Sequence, residues 1–148
     1  MLLRASTISL FIAVNFLFVP ATSLAADAKV QKIDEIEWGA PGGGNGFPVG
    51  VQTAQQGVDP DTGGVTYYAL FPAGSHFDLH WHTHDEYVVV VAGELSIRLG
   101  DEDHELAVGS YIVIPGSLNH SWTVPAGGED AIILVRRAGP ADFHFVDH

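Results

Sequence analysis

From Phe47 onward, turn residues divide the sequence into short β-type runs, and this division limits the fold more than any other feature. Each run is rich in β-branched, aromatic or aliphatic residues, and most are separated by Gly, Pro or Asp. We predict eight strands: Val49–Ala54, Val65–Phe71, His76–His82, Glu86–Val91, Glu94–Leu99, Ser110–Ile114, His120–Val124 and Ala131–Arg136. No segment keeps a long period of 3.6 residues, so helices should be minor. The chain is therefore predicted to be all-β, as a sandwich or barrel.

The segment from Tyr87 to Leu99 gives the clearest local prediction. Val88–Val91 is β-branched on both faces, which is typical of a strand covered on both sides. Ala92-Gly93 then turns the chain, and apolar residues alternate with polar ones at Leu95, Ile97 and Leu99. This pattern predicts a hairpin with one buried face.

The first residues have the pattern of a secretory signal. Arg4 precedes an almost wholly apolar run, and small residues stand at Ser23 and Ala25 before the expected cleavage point. An uncleaved membrane anchor is the alternative, but the run is shorter than the about 20 residues that a spanning helix needs. We predict a signal peptide over residues 1–25, a flexible segment over 26–46 and one domain over 47–148, in a periplasmic or secreted protein.

The charge of the chain argues against two classes of partner. Without residues 1–25 the protein has five bases against 18 acids, a net charge of −13. Nucleic acids and anionic membranes bind clustered Lys and Arg, so neither is expected as a partner. The sequence has no cysteine, which excludes disulfides and thiolate ligands. A domain this small must then be stabilised by its core, or by metal and subunit contacts.

The run from His80 to Glu86 contains the candidate chemistry. On a strand, His80, His82, His84 and Glu86 would share one side, unless the strand bends near Thr83-His84. His120 begins another predicted strand more than thirty residues later, and a barrel could place it opposite the first group.

Three imidazoles and one carboxylate would form a nitrogen–oxygen metal site. This donor set suits Fe(II), Mn(II), Ni(II), Co(II) or Zn(II), and it lacks the sulfur that favours structural zinc. Four protein ligands on an octahedral ion leave positions for water, substrate or dioxygen. The alternative interpretation is that these histidines line a polar pocket without metal.

The same residues resemble the two motifs of the cupin superfamily. The first motif has the order Gly, His-x-His, Glu, Gly, and its fixed positions are all matched by Gly74, His80, His82, Glu86 and Gly93. In the second motif the positions that match are Gly109, Pro115 and His120. Ser117 stands in place of a glycine and Val124 in place of an asparagine. The resemblance extends over residues 65–137.

The resemblance implies a single cupin jelly-roll β-barrel with one divalent metal ion (Fe, Mn, Ni or Zn) in its mouth. The implied ligands are His80, His82, Glu86 and His120, as in four-ligand cupins. His84 has no ligand position in the family, and we interpret it as a proton-transfer or supporting residue, or as merely exposed. The chain end is similar to small periplasmic cupins whose last strand follows a Gly-Pro pair. Dimers through outer strands are common, so a homodimer is expected.

Strand parity suggests which residues meet a substrate. Trp122 shares a face with His120, and Val88 and Val90 share one with Glu86, so these three are predicted to form an apolar pocket wall. Further aromatic candidates, most of them expected to be ordinary core, are Tyr67 or Tyr68, Phe71, Trp81 and Phe143.

Three charged residues are open to two interpretations. We expect Arg136 and Arg137 to be solvated or paired with surface acids, but one that pointed inward could pair a substrate carboxylate. Asp78 has the parity to orient a metal-ligating histidine, or it could be a turn residue.

We hypothesise a metalloenzyme that acts on a small oxygenated organic molecule. The resemblance favours dioxygenase-type oxidation, and with Mn, Ni or Zn the ion would instead support isomerisation, decarboxylation or hydrolysis. His84 or Glu86 could then transfer protons. The alternatives are a non-catalytic module that binds a metal or a small molecule, and a metal site that only stabilises the barrel.

Overall fold

The computed structural model describes residues 28–146. Contacts divide the chain into two units, Met1–Gln31 and Lys32–His148, and the fold described below is that of the second unit. The predicted signal peptide over residues 1–25 lies outside the described residues. Within the described range, no helix has the length and apolar character needed to cross a membrane.

The described residues form ten strands and one short 3-10 turn, Ile33–Glu35. The strands are β1 Gln52–Val58, β2 Val65–Phe71, β3 His76–Trp81, β4 Glu86–Ala92, β5 Leu95–Leu99, β6 Glu102–Leu106, β7 Tyr111–Ile114, β8 His120–Thr123, β9 Ala131–Arg137 and β10 His144–Phe145. They make two five-stranded antiparallel sheets, in the orders β1-β2-β9-β4-β7 and β10-β3-β8-β5-β6. The prediction of an all-β jelly-roll fold is confirmed.

The chain passes repeatedly from one sheet to the other. β2 pairs with β9, β3 with β8, and β4 with both β7 and β9, so most partners are distant in sequence. The two inner faces form a common core, in which every second residue of β4 and β9 is buried. This topology brings residues from opposite ends of the domain to one cavity between the sheets.

The predicted hairpin over residues 87–99 is wrong. β4 pairs with β7 and β9, whereas β5 pairs with β6 and β8 in the other sheet. Gly93 makes the crossing at a φ of 71°, where a Cβ atom would stand 2.6 Å from the carbonyl oxygen of Asp130. The alternation in each strand correctly indicated a buried face, but it could not indicate which strand is the hydrogen-bonding partner. Val88 and Val90 are fully buried while Val89 and Val91 are only half-buried, so one face of β4 is enclosed.

β6 was not predicted from the sequence. Its residues Glu102–Leu106 are exposed except for Leu106, which is half-buried. The strand is at the edge of its sheet and pairs only with β5. Charged side chains are common on edge strands because they discourage further pairing, and they also remove the apolar alternation by which strands are recognised.

The two departures from the cupin motif have different structural settings. Val124 is 2% exposed and belongs to the core cluster, where an apolar side chain is well placed. Ser117 has a φ of 66°, in the left-handed region, and its backbone N–H donates to the carbonyl of His82 at 2.8 Å. A side chain with a Cβ is strained in this conformation by about 1–2 kcal/mol.

We predict that Ser117→Gly raises the free energy of unfolding by roughly 0.5–1 kcal/mol. Relief of backbone strain exceeds the added flexibility that glycine gives the unfolded chain. Urea denaturation would measure the change. As a matched control, Ser96→Gly within β5 should lower the same free energy by a similar amount. A loss of stability in Ser117→Gly would show that the turn does not hold this strain.

Candidate metal centre

Three strands bring the candidate ligands together. His80 lies in β3 and is paired across the ladder with His120, the first residue of β8. Glu86 is the first residue of β4 in the opposite sheet, and His82 follows the end of β3. All four side chains are at most 4% exposed. The structure thus gathers the four residues predicted as ligands between the two sheets, near the ends of their strands.

A bulge and a bend decide which residues of this segment point inward. The β3–β8 register shifts between Phe77 and His80, so both side chains are buried although simple alternation would separate them. Asp78 lies within this bulge and its side chain is half exposed. After His82 the chain bends, and His84 is exposed, with its ring close to the Cα of Gly139. His84 is therefore not among the cavity-lining residues, and the catalytic role suggested for it stays a prediction.

The ligand atoms converge on one point. Imidazole nitrogens of His80, His82 and His120 all lie within 4.8 Å of one another. The Glu86 carboxylate lies beside two of them, with Oε2 at 3.0 Å from His82 Nε2 and 3.7 Å from His120 Nε2. This spacing is compatible with one small cation in contact with all of these groups.

Backbone carbonyl groups fix the orientation of all three rings. Nδ1 donates to the carbonyl of Asp78 at 2.6 Å in His80, and to that of Leu118 at 3.0 Å in His120. In His82 it donates to the carbonyl of Asp142, also at 2.6 Å. A carbonyl oxygen can only accept a hydrogen bond, so Nδ1 must hold the proton. Nε2 of each neutral ring is therefore unprotonated and has a free lone pair. Asp78 does orient a histidine, but through its backbone and not through its carboxylate.

Burial sets the protonation states that a cation requires. Burial lowers the pKa of His80 to about 3, with a smaller contribution from His120. Burial likewise lowers the pKa of His120. Burial alone would raise the pKa of Glu86, but the groups around the carboxylate, among them the positive charge of Arg137, lower it overall. Neutral imidazoles and an ionised carboxylate are the forms that coordinate metals.

Buried ligand atoms without hydrogen-bond partners show whether a metal ion fits these residues. His82 Nε2, His120 Nε2 and Glu86 Oε2 are buried and have no hydrogen-bond partner. A carboxylate oxygen and an imidazole lone pair 3.0 Å apart repel each other unless a cation lies between them. The donor set and the unpartnered atoms therefore both fit a divalent metal ion.

Arg137 is the inward-pointing member of the arginine pair. It ends β9, is 1% exposed, and its Nη1 lies 3.5 Å from Glu86 Oε2. Its Nη2 donates to the hydroxyl of Tyr67 at 3.3 Å, and its guanidinium lies 5.1 Å from the ring centroid of Phe143. Arg136 points to the surface and pairs with Asp59 at 3.4 Å.

A cavity of about 300 Å³ opens from the histidine cluster. Its polar lining comprises Thr53, Gln55, Tyr67, His80, His82, Glu86 and Arg137. Its apolar lining comprises Phe47, Pro48, Val51, Val65, Ala69, Phe71, Phe77, Trp122, Ile133, Ala141 and Phe143. Of the predicted wall, Trp122 lines the cavity, whereas Val88 and Val90 are buried in the core and are not among the lining residues.

Two segments outside the main strands complete the cavity. The N-terminal segment places Phe47 against Phe77, with ring centroids 5.3 Å apart, and the carbonyl of Gly46 accepts from the backbone N–H of Asp78 at 2.9 Å. The C-terminal segment pairs β10 with β3 and places Phe143 in the wall. The sequence pattern does not identify Phe47 or Phe77 as pocket residues, because their position depends on these long-range contacts.

Comparison with known proteins agrees with this architecture. Residues 67–135 match the Cupin_2 family, described as the cupin domain. No curated protein matches the sequence. A cupin-2 domain protein from Rhodospirillum rubrum is similar in structure, with a TM-score of 0.65 and 16% identity over 83% of this chain and 82% of that one.

Two solved structures with named activities are also similar. The polyketide cyclase RemF from Streptomyces resistomycificus has a TM-score of 0.64 and 16% identity, over 82% of this chain and 87% of that one. A structure described under the DMSP lyases RdDddP and RnDddQII has a TM-score of 0.61 and 17% identity, over 76% of this chain and 63% of that one. Identities this low establish the fold and leave activity open. The match over residues 67–135 and the similar solved structures together show that this chain has the cupin fold.

Proposed function

We propose that the protein is a metalloenzyme that binds one divalent metal ion through His80, His82, Glu86 and His120. Its substrate would be a small oxygenated organic molecule bound in the adjoining cavity. One observation carries the proposal: carbonyl-oriented imidazoles and an unpartnered carboxylate oxygen meet at the wall of a mostly apolar cavity. A site that served stability alone would not need this space beside it.

The cavity wall favours oxidation by dioxygen among the candidate reactions. A bound ion of this donor set supplies Lewis acidity and, if it is iron, dioxygen chemistry. Isomerisation or elimination also needs a separate proton-transfer group. Apart from the proposed ligands and Arg137, Tyr67 is the only lining residue within the described range 28–146 that has a titratable side chain. Burial, with the Glu86 charge, raises the pKa of Tyr67 to about 12, which makes it a weak acid and a poor candidate base near neutral pH.

The cyclase and lyase among the similar structures support a second candidate, Lewis-acid chemistry without oxygen consumption. A non-catalytic binding cupin is the remaining alternative. Export to the periplasm or the exterior, a homodimer and a small-molecule partner remain part of the proposal. Export is supported by the signal pattern of residues 1–25.

We expect the protein, purified without chelators from its native compartment, to contain about one equivalent of metal per chain. The double variant His82→Ala, His120→Ala should contain almost none, because two of four ligands are lost. His104→Ala is the matched control, since His104 is exposed on β6, and it should keep the metal. Elemental analysis measures all three. Equal metal in the wild type and the double variant would refute the ligand assignment.

Asp142 should influence metal affinity without being a ligand. Its carboxylate accepts from the backbone N–H of Thr83 at 3.0 Å and from His144 Nε2 at 3.1 Å, which holds its carbonyl on His82 Nδ1. We predict that Asp142→Ala weakens metal binding roughly 10–100-fold, as measured by competition with a chromophoric chelator. Exposed Asp101→Ala should have no effect. Unchanged affinity in Asp142→Ala would show that the carboxylate does not position the ring.

Oxygen uptake separates the reaction classes. With the iron-loaded protein, we expect phenolic or diketone compounds to cause oxygen consumption that the metal-free double variant does not show. An oxygen electrode combined with product analysis makes this measurement. Product formed without oxygen uptake would instead establish the Lewis-acid alternative, and saturable binding without any product would establish the binding-module alternative.

A further inference from the structure

We propose that the ligand of the cavity is a small organic carboxylic acid whose carboxylate is bound by Arg137 and whose apolar body lies among the aromatic side chains. This inference names the substrate class of the proposed metalloenzyme. It rests on that proposed function for the position of the metal at one end of the cavity. The arginine and the apolar wall are independent of the metal. Three features support the proposal: the unpaired donors of Arg137, the charge of the cavity, and the size and lining of the cavity.

Arg137 has donor groups that the protein does not use. Its side chain is 1% exposed, yet Nε and Nη1 have no hydrogen-bond acceptor. Only Nη2 donates, to the neutral hydroxyl of Tyr67. The nearest charge is Glu86 Oε2, at 3.5 Å from Nη1, which also lacks a hydrogen bond. A buried guanidinium with unpaired donors is unfavourable unless an acceptor enters the cavity, and a carboxylate is the acceptor it binds best.

The charges around the cavity also call for an anion. The charges of Arg137 and Glu86, whose Nη1 and Oε2 atoms lie 3.5 Å apart, cancel, and imidazoles that coordinate a metal are neutral. A bound divalent ion would therefore add a surplus of positive charge to a buried site. Among the described residues, Glu86 is the only acid that lines the cavity. An anionic ligand neutralises part of this surplus, whereas a cation or a neutral amide does not.

Arg137 lies close to the proposed metal centre. Glu86 Oε2 is 3.5 Å from Arg137 Nη1 and 3.0 Å from His82 Nε2, so the same atom contacts the guanidinium and the histidine cluster. The anionic end of a ligand on Arg137 would thus lie beside the residues that would hold the metal. This placement fits an acid whose reacting carbons are near its carboxylate.

The remainder of the cavity fits an apolar body. Phe47, Phe143 and Phe77 form one aromatic cluster, with Phe47 to Phe143 centroids 5.0 Å apart and Phe77 to Phe143 centroids 5.9 Å apart. Trp122 and Ile133 extend the lining. A volume of about 300 Å³ is at the lower end for small-molecule sites, so one aromatic ring or a short branched chain is the expected size.

The test compares acids with their neutral amides. Calorimetry on the protein as purified without chelators would use benzoate, phenylacetate, 3-phenylpropanoate and 3-methylbutanoate, each paired with its amide. The wild type should bind at least one acid about tenfold or more tightly than its amide. Arg137→Met should reduce that acid-to-amide preference about tenfold while changing amide affinity by less than about threefold. Arg136→Met, on the same strand but pointing outward, should keep the preference.

Several outcomes would overturn the inference: no binding of any acid, equal affinity for acid and amide, or an unchanged preference in Arg137→Met. Thermal unfolding checks that the variant is folded. If Arg137→Met is not folded, Arg137→Gln is used, because glutamine keeps a hydrogen-bonding group beside Glu86. The same reduction of the acid-to-amide preference is expected.

Metal content measured on the same samples separates the two proposals. An Arg137-dependent preference in protein without metal would leave the acid site standing and refute the metalloenzyme. Bound metal without that preference would refute the acid site alone.

Discussion

The site depends on three hydrogen bonds from imidazole Nδ1 atoms to backbone carbonyl groups. Because Asp78, Leu118 and Asp142 supply these carbonyls, each ring is held by the main chain of its own strand or of the C-terminal segment. The bonds fix which nitrogen has the proton and direct the other towards a common point. A metal would therefore bind without reorganisation of the rings, and affinity would depend on the fold that positions the carbonyls.

The buried charges are linked to the same arrangement. Glu86 and Arg137 lie at the ends of two adjacent inner strands of one sheet, where they are paired in register across β4 and β9. His80 and His120 lie on strands of the other sheet. Neither charge has a complete set of partners within the protein. Such a pair adds little to stability by itself, because desolvation offsets the attraction. Its unpaired atoms are better explained by groups that bind there, a metal at the carboxylate and an anion at the guanidinium.

The comparisons place this chemistry in a fold that serves many functions. The similar structures include a polyketide cyclase and DMSP lyases, each at less than 20% identity. They show that this fold occurs in enzymes of more than one kind, and they do not choose among reactions for this chain. The choice rests on features of this chain, namely the inward Arg137, the aromatic wall and the poor supply of proton-transfer groups around the cavity.

The sequence by itself determined the strands with clear apolar alternation, the all-β class and the candidate ligands of the His80–Glu86 run, because these depend on spacing along the chain. That His120 lies opposite His80 was decided by the pairing of β3 with β8. It did not determine that β4 and β5 belong to different sheets, that Arg137 points inward, or that Phe47 and Asp142 reach the site. Alternation shows only that one side of a strand is buried. Which strands pair, where a bulge reverses the facing side, and which distant segment closes the cavity are decided by packing between residues far apart in sequence, and only the tertiary structure contains that information.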